Sequence, residues 1–184
     1  REEFDDLAAL ANSNHVIMRA MKVFAEITRN SGDSTRAEWA EAALATEAAR
    51  IDNAVSFLRK ICDGFEAAGY DVTVIKSLDH WRDLGSDLDL YTNADPDDVI
   101  RLMQQRFQAE VAARSWGDRL ANKWNFNIPG LPEAVEIHMR RLGQTGEQIS
   151  IASSVPRRAR VIQVANQSFR VPAVSDRLMI STLQ

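Results

Sequence analysis

Two aspartates, Asp87 and Asp89, stand at alternate positions of a short segment, residues 85–90, that is predicted to form a β-strand. In a β-strand alternate side chains share a face, so both carboxylates would point the same way while Leu88 and Leu90 enter a core. Adjacent carboxylates repel each other, and a fold that holds two of them together commonly neutralises them with a divalent cation. Oxygen ligands suit Mg²⁺ or Mn²⁺, so the pair predicts a site for one of these ions.

A third carboxylate, Glu136, belongs to a second alternating segment, residues 134–140. Apolar residues there alternate with Glu136, His138 and Arg140, which predicts a half-buried strand whose polar face carries these three side chains. Glu136 is the candidate third ligand. His138 is expected to orient Glu136, or to contact a phosphate or an acceptor together with Arg140.

The strand predicted upstream, over residues 70–77, ends in Lys76 and Ser77. An ammonium and a hydroxyl at the end of a strand could bind a triphosphate. An ion pair between Lys76 and one of the acids is the simpler alternative. Arg82, in the connection to the Asp-x-Asp strand, could contact phosphate or lie on the surface.

The order of these motifs resembles the nucleotidyltransferase superfamily of the DNA polymerase β type. It is most similar to bacterial members whose first strand ends in Lys-Gly and whose third acid lies in an acid-x-His-x-Arg strand. The likeness rests on Lys76-Ser77, on Gly85-Ser86 before Asp87-x-Asp89, and on Glu136-x-His138-x-Arg140. Ser77 stands where that family has glycine. The resemblance implies an α+β fold with a mixed sheet, packed helices and a helical N-terminal layer.

The same resemblance implies a metal-dependent enzyme that transfers a nucleoside monophosphate from a nucleoside triphosphate such as ATP to a hydroxyl acceptor, with release of pyrophosphate. Asp87, Asp89 and Glu136 would be the catalytic residues and would hold Mg²⁺ or Mn²⁺. The residues that would bind the nucleotide are Lys76, Ser77, Arg82, Gly85 and Ser86. The acceptor could be a protein, an RNA or a small molecule.

Two alternatives keep the fold without that reaction. Ser77 in the glycine position favours a catalytically degenerate protein that binds a nucleotide or a partner, because glycine lets the backbone approach phosphates closely. The intact set of acids opposes it. An antitoxin-like protein that modifies or sequesters a partner, with the helical N-terminal layer as its interface, is the other alternative.

Composition limits the classes further. The chain has 184 residues, 45% of them hydrophobic, which suffices for one catalytic domain. Its net charge of −4 argues against a dedicated nucleic-acid binder. A single cysteine, Cys62, excludes an internal disulfide, and with no leader-like or long apolar segment the expectation is a soluble cytoplasmic protein.

The order of elements predicts two regions, a helical layer over residues 1–69 and an α+β core over residues 70–184 that is cut short within a final helix. Asp95-Pro96 predicts the start of a helix in the core, with Asp95 as its cap. Residues 110–116 and 121–128 predict a hairpin that turns through Gly117-Asp118.

Overall fold

The computed structural model of the chain describes residues 2–143 and 148–183, and this part is an α+β fold with a mixed sheet, as expected. The helices in it are α1 (Glu2–Ser13), α2 (Ile17–Asn30), α3 (Ser34–Ala67), α4 (Pro96–Phe107), α5 (Trp116–Ala121), α6 (Ile149–Arg158) and α7 (Val174–Leu183). The strands are β1 (Val72–Val74), β2 (Asp87–Thr92), β3 (Glu110–Val111), β4 (Lys123–Asn127), β5 (Ala134–Met139), β6 (Arg160–Val164) and β7 (Gln167–Val171). Within the described ranges, no helix combines the length and apolar character needed to cross a bilayer.

The chain divides into two compact units. The first contains the residues up to Asn53 together with His80–Ser86, and the second contains Ala54–Asp79 and the residues from Asp87 onward. Helix α3 contributes to both, because the division falls between Asn53 and Ala54.

Aromatic side chains join the three helices of the first unit. The Trp39 ring lies 5.1 Å from that of Phe4 and 6.0 Å from that of Phe24, centroid to centroid. Tilted and edge-to-face contacts at these distances are favourable for aromatic rings. Each helix contributes one ring, so this cluster sets how α1, α2 and α3 pack.

The segment His80–Ser86 is held to the helices of its own unit by charged side chains. The buried Asp83 accepts hydrogen bonds from the backbone N–H of Met18, at 2.8 Å, and from Nε of Arg19, at 2.5 Å. On the other side, the guanidinium of Arg50 donates to the carbonyls of Leu84 and Gly85. A segment without regular structure is thereby anchored to both α2 and α3.

In the second unit the sheet has the order β1-β2-β5-β4-β3. Strands β2 and β5 are parallel, and the other pairs are antiparallel. Leu88, Leu90, Val135 and Ile137 are fully buried, which is the apolar alternation that the sequence predicts for these two strands. The register pairs Asp89 with Glu136, so the two acids are direct neighbours on the opposite face.

The hairpin predicted over residues 110–128 is wrong in its first half. Strand β3 has only two residues, and Gly117-Asp118 lies inside helix α5. Ser115 and Asp118 form a capping box, in which the Ser115 hydroxyl accepts the Asp118 N–H and the Asp118 carboxylate accepts the Ser115 N–H. These bonds satisfy free helical donors, so the local sequence favours a helix start over a turn.

On the acid-bearing face the second unit has a separate apolar cluster, made by Ile75, Tyr91, Leu142, Ala152, Val155 and Ile180. Tyr91 follows Asp89 by two residues in β2 and shares its face, and it is fully buried in this cluster. The face of β2 that carries Asp87 and Asp89 therefore continues into the apolar cluster at Tyr91. Strands β6 and β7 pair antiparallel in a separate two-stranded sheet, which follows α6 in the chain.

Candidate metal and nucleotide site

Three buried side chains form the centre of the candidate site. Asp89, Glu136 and His138 are 5%, 7% and 2% exposed. Each offers one ligand atom, and these atoms all lie within 4.8 Å of one another. They come from neighbouring parallel strands, with Asp89 on β2 and the other two on β5. Two oxygens and one imidazole nitrogen at this spacing could hold a metal ion, and that donor set suits Mn²⁺ better than Mg²⁺, which prefers oxygen alone.

Two lysines neutralise the acids from opposite sides. The Lys76 Nζ lies 2.5 Å from Oδ1 of Asp89 and 3.9 Å from Oε1 of Glu136. The Lys123 Nζ donates to Oε2 of Glu136 at 2.7 Å and lies 3.4 Å from Oδ1 of Asp118. Lys76 thus places a positive charge between the two buried carboxylates, at a point where a cation fits.

Burial sets the protonation of this cluster. It raises the pKa of Asp89 to about 7, since the loss of solvation outweighs the attraction of Lys76, and the charges of Asp87 and Glu136 add to the rise. Burial would raise the pKa of Glu136 as well, but hydrogen bonds from His138 and Lys123 outweigh it and hold that pKa well below its ordinary value. At neutral pH Glu136 is therefore the ionised member of the pair, and Asp89 is the carboxylate that takes up a proton more readily.

His138 donates to Glu136 through Nε2, at 2.8 Å from Oε1. Burial lowers the pKa of His138 despite the neighbouring carboxylate, so the ring is neutral at neutral pH. An ionised carboxylate only accepts hydrogen bonds, so the single ring proton belongs on Nε2. Nδ1 then carries a lone pair, and among the described residues it has no hydrogen-bond partner. Sequence reasoning expects His138 to orient Glu136, and this bond is the contact such a role needs.

A cavity of about 390 Å³ opens beside the cluster within the second unit. Its lining residues are Lys76, Asp87, Ser115, Gly117, Asp118, Ala121, Lys123, Glu136, His138 and Gly143. Together with Asp89, which contacts the lining residue Lys76, the site contains four acids (Asp87, Asp89, Asp118 and Glu136) and two lysines. The excess of acids makes the cavity attractive to cations.

Ser77 takes part in the site through its hydroxyl. Its Oγ accepts the backbone N–H of Asp89 at 2.7 Å. The chain leaves β1 just before this point, where the Ser77 N–H bonds to the Ile75 carbonyl at 2.6 Å and Lys76 has a φ of 59°. An i to i+2 bond around a residue with positive φ is the rarer and more strained kind of γ-turn. The residue with a positive φ is thus Lys76, and the Ser77 side chain serves as the hydrogen-bond acceptor for Asp89.

Replacing Ser77 should therefore destabilise the protein. We expect Ser77→Gly and Ser77→Ala to lower the free energy of unfolding by about 1–3 kcal/mol, because each leaves the buried N–H of Asp89 without its acceptor. Urea denaturation would measure the change. Ser153→Ala is the matched control, since its hydroxyl bonds to a backbone carbonyl on an exposed surface. A Ser77→Gly protein as stable as the wild type would contradict the role of the hydroxyl.

Three predicted nucleotide-binding residues, Arg82, Gly85 and Ser86, belong to the first unit. The Gly85 carbonyl accepts a hydrogen bond from Arg50, and Arg82 lines a groove of its own unit. Arg140 lies just past the end of β5 with a φ of 63°, where its guanidinium bonds to the Asn93 carbonyl and lies 3.3 Å from Asp95. Its charge is directed to the start of α4.

Comparison with known proteins adds a structural neighbour. No protein-family model matches the chain, and no curated protein matches it either. Among solved structures, the chain is similar to an antigenic nucleotidyltransferase-like protein from Paracoccidioides brasiliensis, with a TM-score of 0.42 and 12% sequence identity. The match covers 69% of this chain and 63% of that one, so the chain spans less than two thirds of the neighbour's length. The likeness assigns no reaction and no substrate.

Sequence reasoning does not find Lys123 and Asp118 as site residues. Lys123 reaches Glu136 because β4 pairs antiparallel with β5, with Lys123 opposite His138. Asp118 reaches Lys123 because the sequence between β3 and β4 forms a helix. The alternation of Lys123, Asn125 and Asn127 marks a polar face, but the pairing that turns this face toward the acids is a long-range contact.

Proposed function

We propose that the chain is a metal-dependent nucleotidyltransferase that moves a nucleoside monophosphate from a nucleoside triphosphate to a hydroxyl acceptor. The observation that carries the proposal is the buried cluster of Asp89, Glu136 and His138 at the edge of an acid-rich cavity. Asp87 also lines this cavity, two residues before Asp89 and on the same face of β2. Glu136 and Asp89 would hold the ion, with Asp87 at its solvent side.

The residues present fit a divalent cation. An ammonium already lies between the two carboxylates, 2.5 Å from Asp89 and 3.9 Å from Glu136, and a metal ion could take that position. A bound Mg²⁺ or Mn²⁺ would stabilise charge on the triphosphate and lower the pKa of the attacking hydroxyl. His138 would keep Glu136 ionised and oriented through the Nε2 bond. Lys76 would supply a positive charge to the phosphates.

Lys76 cannot neutralise Asp89 and bind a phosphate in the same position. Its Nζ lies 2.5 Å from Asp89, where it competes with any ion for that carboxylate. We propose that the triphosphate draws Lys76 toward the cavity, which frees Asp89 for the metal. Metal and nucleotide would then each raise the affinity for the other, because the nucleotide draws Lys76 away from Asp89 and the metal takes the position that Lys76 leaves.

This proposal gives a direct prediction for Lys76. Lys76→Met keeps most of the length of the side chain and removes its charge. It should therefore tighten Mn²⁺ binding in the absence of nucleotide by about tenfold, the factor that corresponds to removing about 1.4 kcal/mol of repulsion between the ammonium and the ion. Titration calorimetry with Mn²⁺ alone would measure it. Lys60→Met is the control, since Lys60 is exposed and lies over the Phe57 ring away from the cluster. Unchanged or weaker Mn²⁺ binding in Lys76→Met would contradict the competition.

The function itself is tested with labelled nucleotides. Each nucleoside triphosphate, labelled at the α-phosphate, is incubated with the protein, Mn²⁺ or Mg²⁺ and a cell extract as the acceptor source. The proposal expects transfer of label to an acceptor with release of pyrophosphate. Nucleotide binding without transfer to any acceptor would favour the catalytically degenerate alternative, for which Ser77 in the glycine position is the supporting observation.

A further inference from the structure

A second cavity, of about 660 Å³, lies entirely within the first unit. We call it the α2–α3 groove, and its lining residues are Met18, Arg19, Lys22, Leu44, Ala45, Ala48 and Arg82. Its volume lies within the range of small-molecule sites. None of these residues belongs to the acid cluster, so the nucleotidyltransferase proposal gives the groove no role.

The groove combines apolar walls with three cations. Its uncharged lining side chains are a methionine, a leucine and two alanines, which offer no hydrogen-bond donor or strong acceptor. Arg19, Lys22 and Arg82 are all exposed and supply three positive charges to it. This is the reverse of the chain's overall balance, which has a net charge of −4.

Two of these cations have no acidic partner. Among the described residues, Lys22 and Arg82 take part in no ion pair or side-chain hydrogen bond, whereas the acids Glu41, Glu47 and Asp83 of the same unit are paired with Arg29, Arg50 and Arg19. Asp83 holds the Arg19 guanidinium by a single Nε bond, so the other nitrogens of Arg19 remain able to bind an anion. Three neighbouring positive charges repel one another, and an anion at the groove would relieve that repulsion.

The chemistry of the lining selects the kind of anion. Nucleobases bind by stacking on aromatic rings or guanidinium planes and by hydrogen bonds to donors and acceptors on their edges. The lining contains no aromatic residue and no neutral polar side chain that could accept the base's hydrogen bonds. An alkyl chain needs neither of these contacts. We propose that the α2–α3 groove binds a small amphipathic anion, with its alkyl chain against Met18 and Leu44 and its carboxylate or phosphate head on Lys22, Arg82 and Arg19.

Decanoate is a suitable probe, and titration calorimetry on the full chain is the measurement. The proposal expects saturable binding of one decanoate per chain. Affinity should rise by about fourfold for each methylene added from hexanoate to decanoate, as expected when the chain enters an apolar site. Decanol, which lacks the charge, should bind several-fold more weakly.

Variants separate the groove from nonspecific binding. Lys22→Gln and Arg82→Gln should each weaken decanoate binding by about fivefold, and neither should affect decanol. Ala48→Leu should abolish binding of both ligands, because the larger side chain fills the groove. Leucine suits a helix nearly as well as alanine, so the fold should be retained. Arg36→Gln and Ala42→Leu alter the same unit outside the groove and should bind decanoate like the wild type.

Absence of saturable decanoate binding at millimolar concentration would overturn the proposal. Equal binding by the wild type, Lys22→Gln, Arg82→Gln and Ala48→Leu would also overturn it. So would binding to vesicles of anionic phospholipid without binding to decanoate, since the cations would then serve a membrane surface. None of these results depends on nucleotidyl transfer, so the groove and the proposed enzyme can fail separately.

Discussion

Asp89→Asn should lower the rate of nucleotidyl transfer by roughly 10²–10³-fold, the loss that follows when a group that stabilises transition-state charge is removed. The change keeps the shape of the side chain and removes the carboxylate from the centre of the cluster. The rate is measured as label transferred from the α-phosphate at saturating nucleotide. Because Asp89 would act by holding the metal, a higher Mn²⁺ concentration should restore part of the loss.

The comparison needs a control and a second site variant. Asp52→Asn, which changes an exposed acid on α3, should leave the rate unchanged. Asp87→Asn should also reduce the rate, because Asp87 lines the same cavity. If Asp89→Asn transferred label as fast as the wild type, no metal held by this carboxylate would take part in the reaction, and the proposed mechanism would be wrong.

The same substitution should change how stability depends on pH. The pKa of Asp89 in the folded protein, about 7, lies above its ordinary value of 3.8, so the folded state binds the proton more tightly. The stability that this protonation contributes is complete below pH 4 and is lost as the pH rises through 7. Asparagine has no such proton to lose. Between pH 5 and pH 8, the free energy of unfolding of Asp89→Asn should therefore rise by roughly 2–3 kcal/mol relative to the wild type.

Urea denaturation in the presence of a chelator would measure this difference. His138 and Glu136 also titrate differently in the folded and unfolded states, but both are present in the two proteins, so to first order they cancel in the comparison. Asp52→Asn should parallel the wild type at every pH. A constant difference between Asp89→Asn and the wild type from pH 5 to pH 8 would mean that burial does not raise the pKa of Asp89.

Much of the site follows from local patterns in the sequence. Alternation in β2 and β5 places Asp89 and Glu136 on polar faces, because a strand side chain can only point to one side of the sheet or the other. That these two strands are neighbours and parallel follows from the order of motifs only by resemblance. The fold class, a mixed sheet with packed helices, is also predicted by that resemblance, and the observed sheet topology confirms it.

Other features depend on interactions that a single strand or helix does not show. Helix α5 replaces a predicted turn because the Ser115–Asp118 capping box outweighs the turn preference of glycine. The partnership of Lys123 with Glu136 depends on the β4–β5 register. Lys76 adopts a positive φ although lysine has no intrinsic preference for it, so the surrounding hydrogen bonds must impose that conformation.

The register of β2 against β5 has a consequence for how homologous chains can differ in length. The pair Asp89 and Glu136 lies on the acid-bearing face of the sheet, and the next pair, Leu90 and Ile137, lies in the core. A deletion or insertion of one residue within Asp87–Thr92 would turn the carboxylates into the apolar layer and the leucines outward. Length changes in the irregular segment His80–Ser86 leave that alternation intact. Relatives of this protein should therefore carry their gaps before Asp87 and almost none from Asp87 to Thr92, and an alignment of homologues would show it.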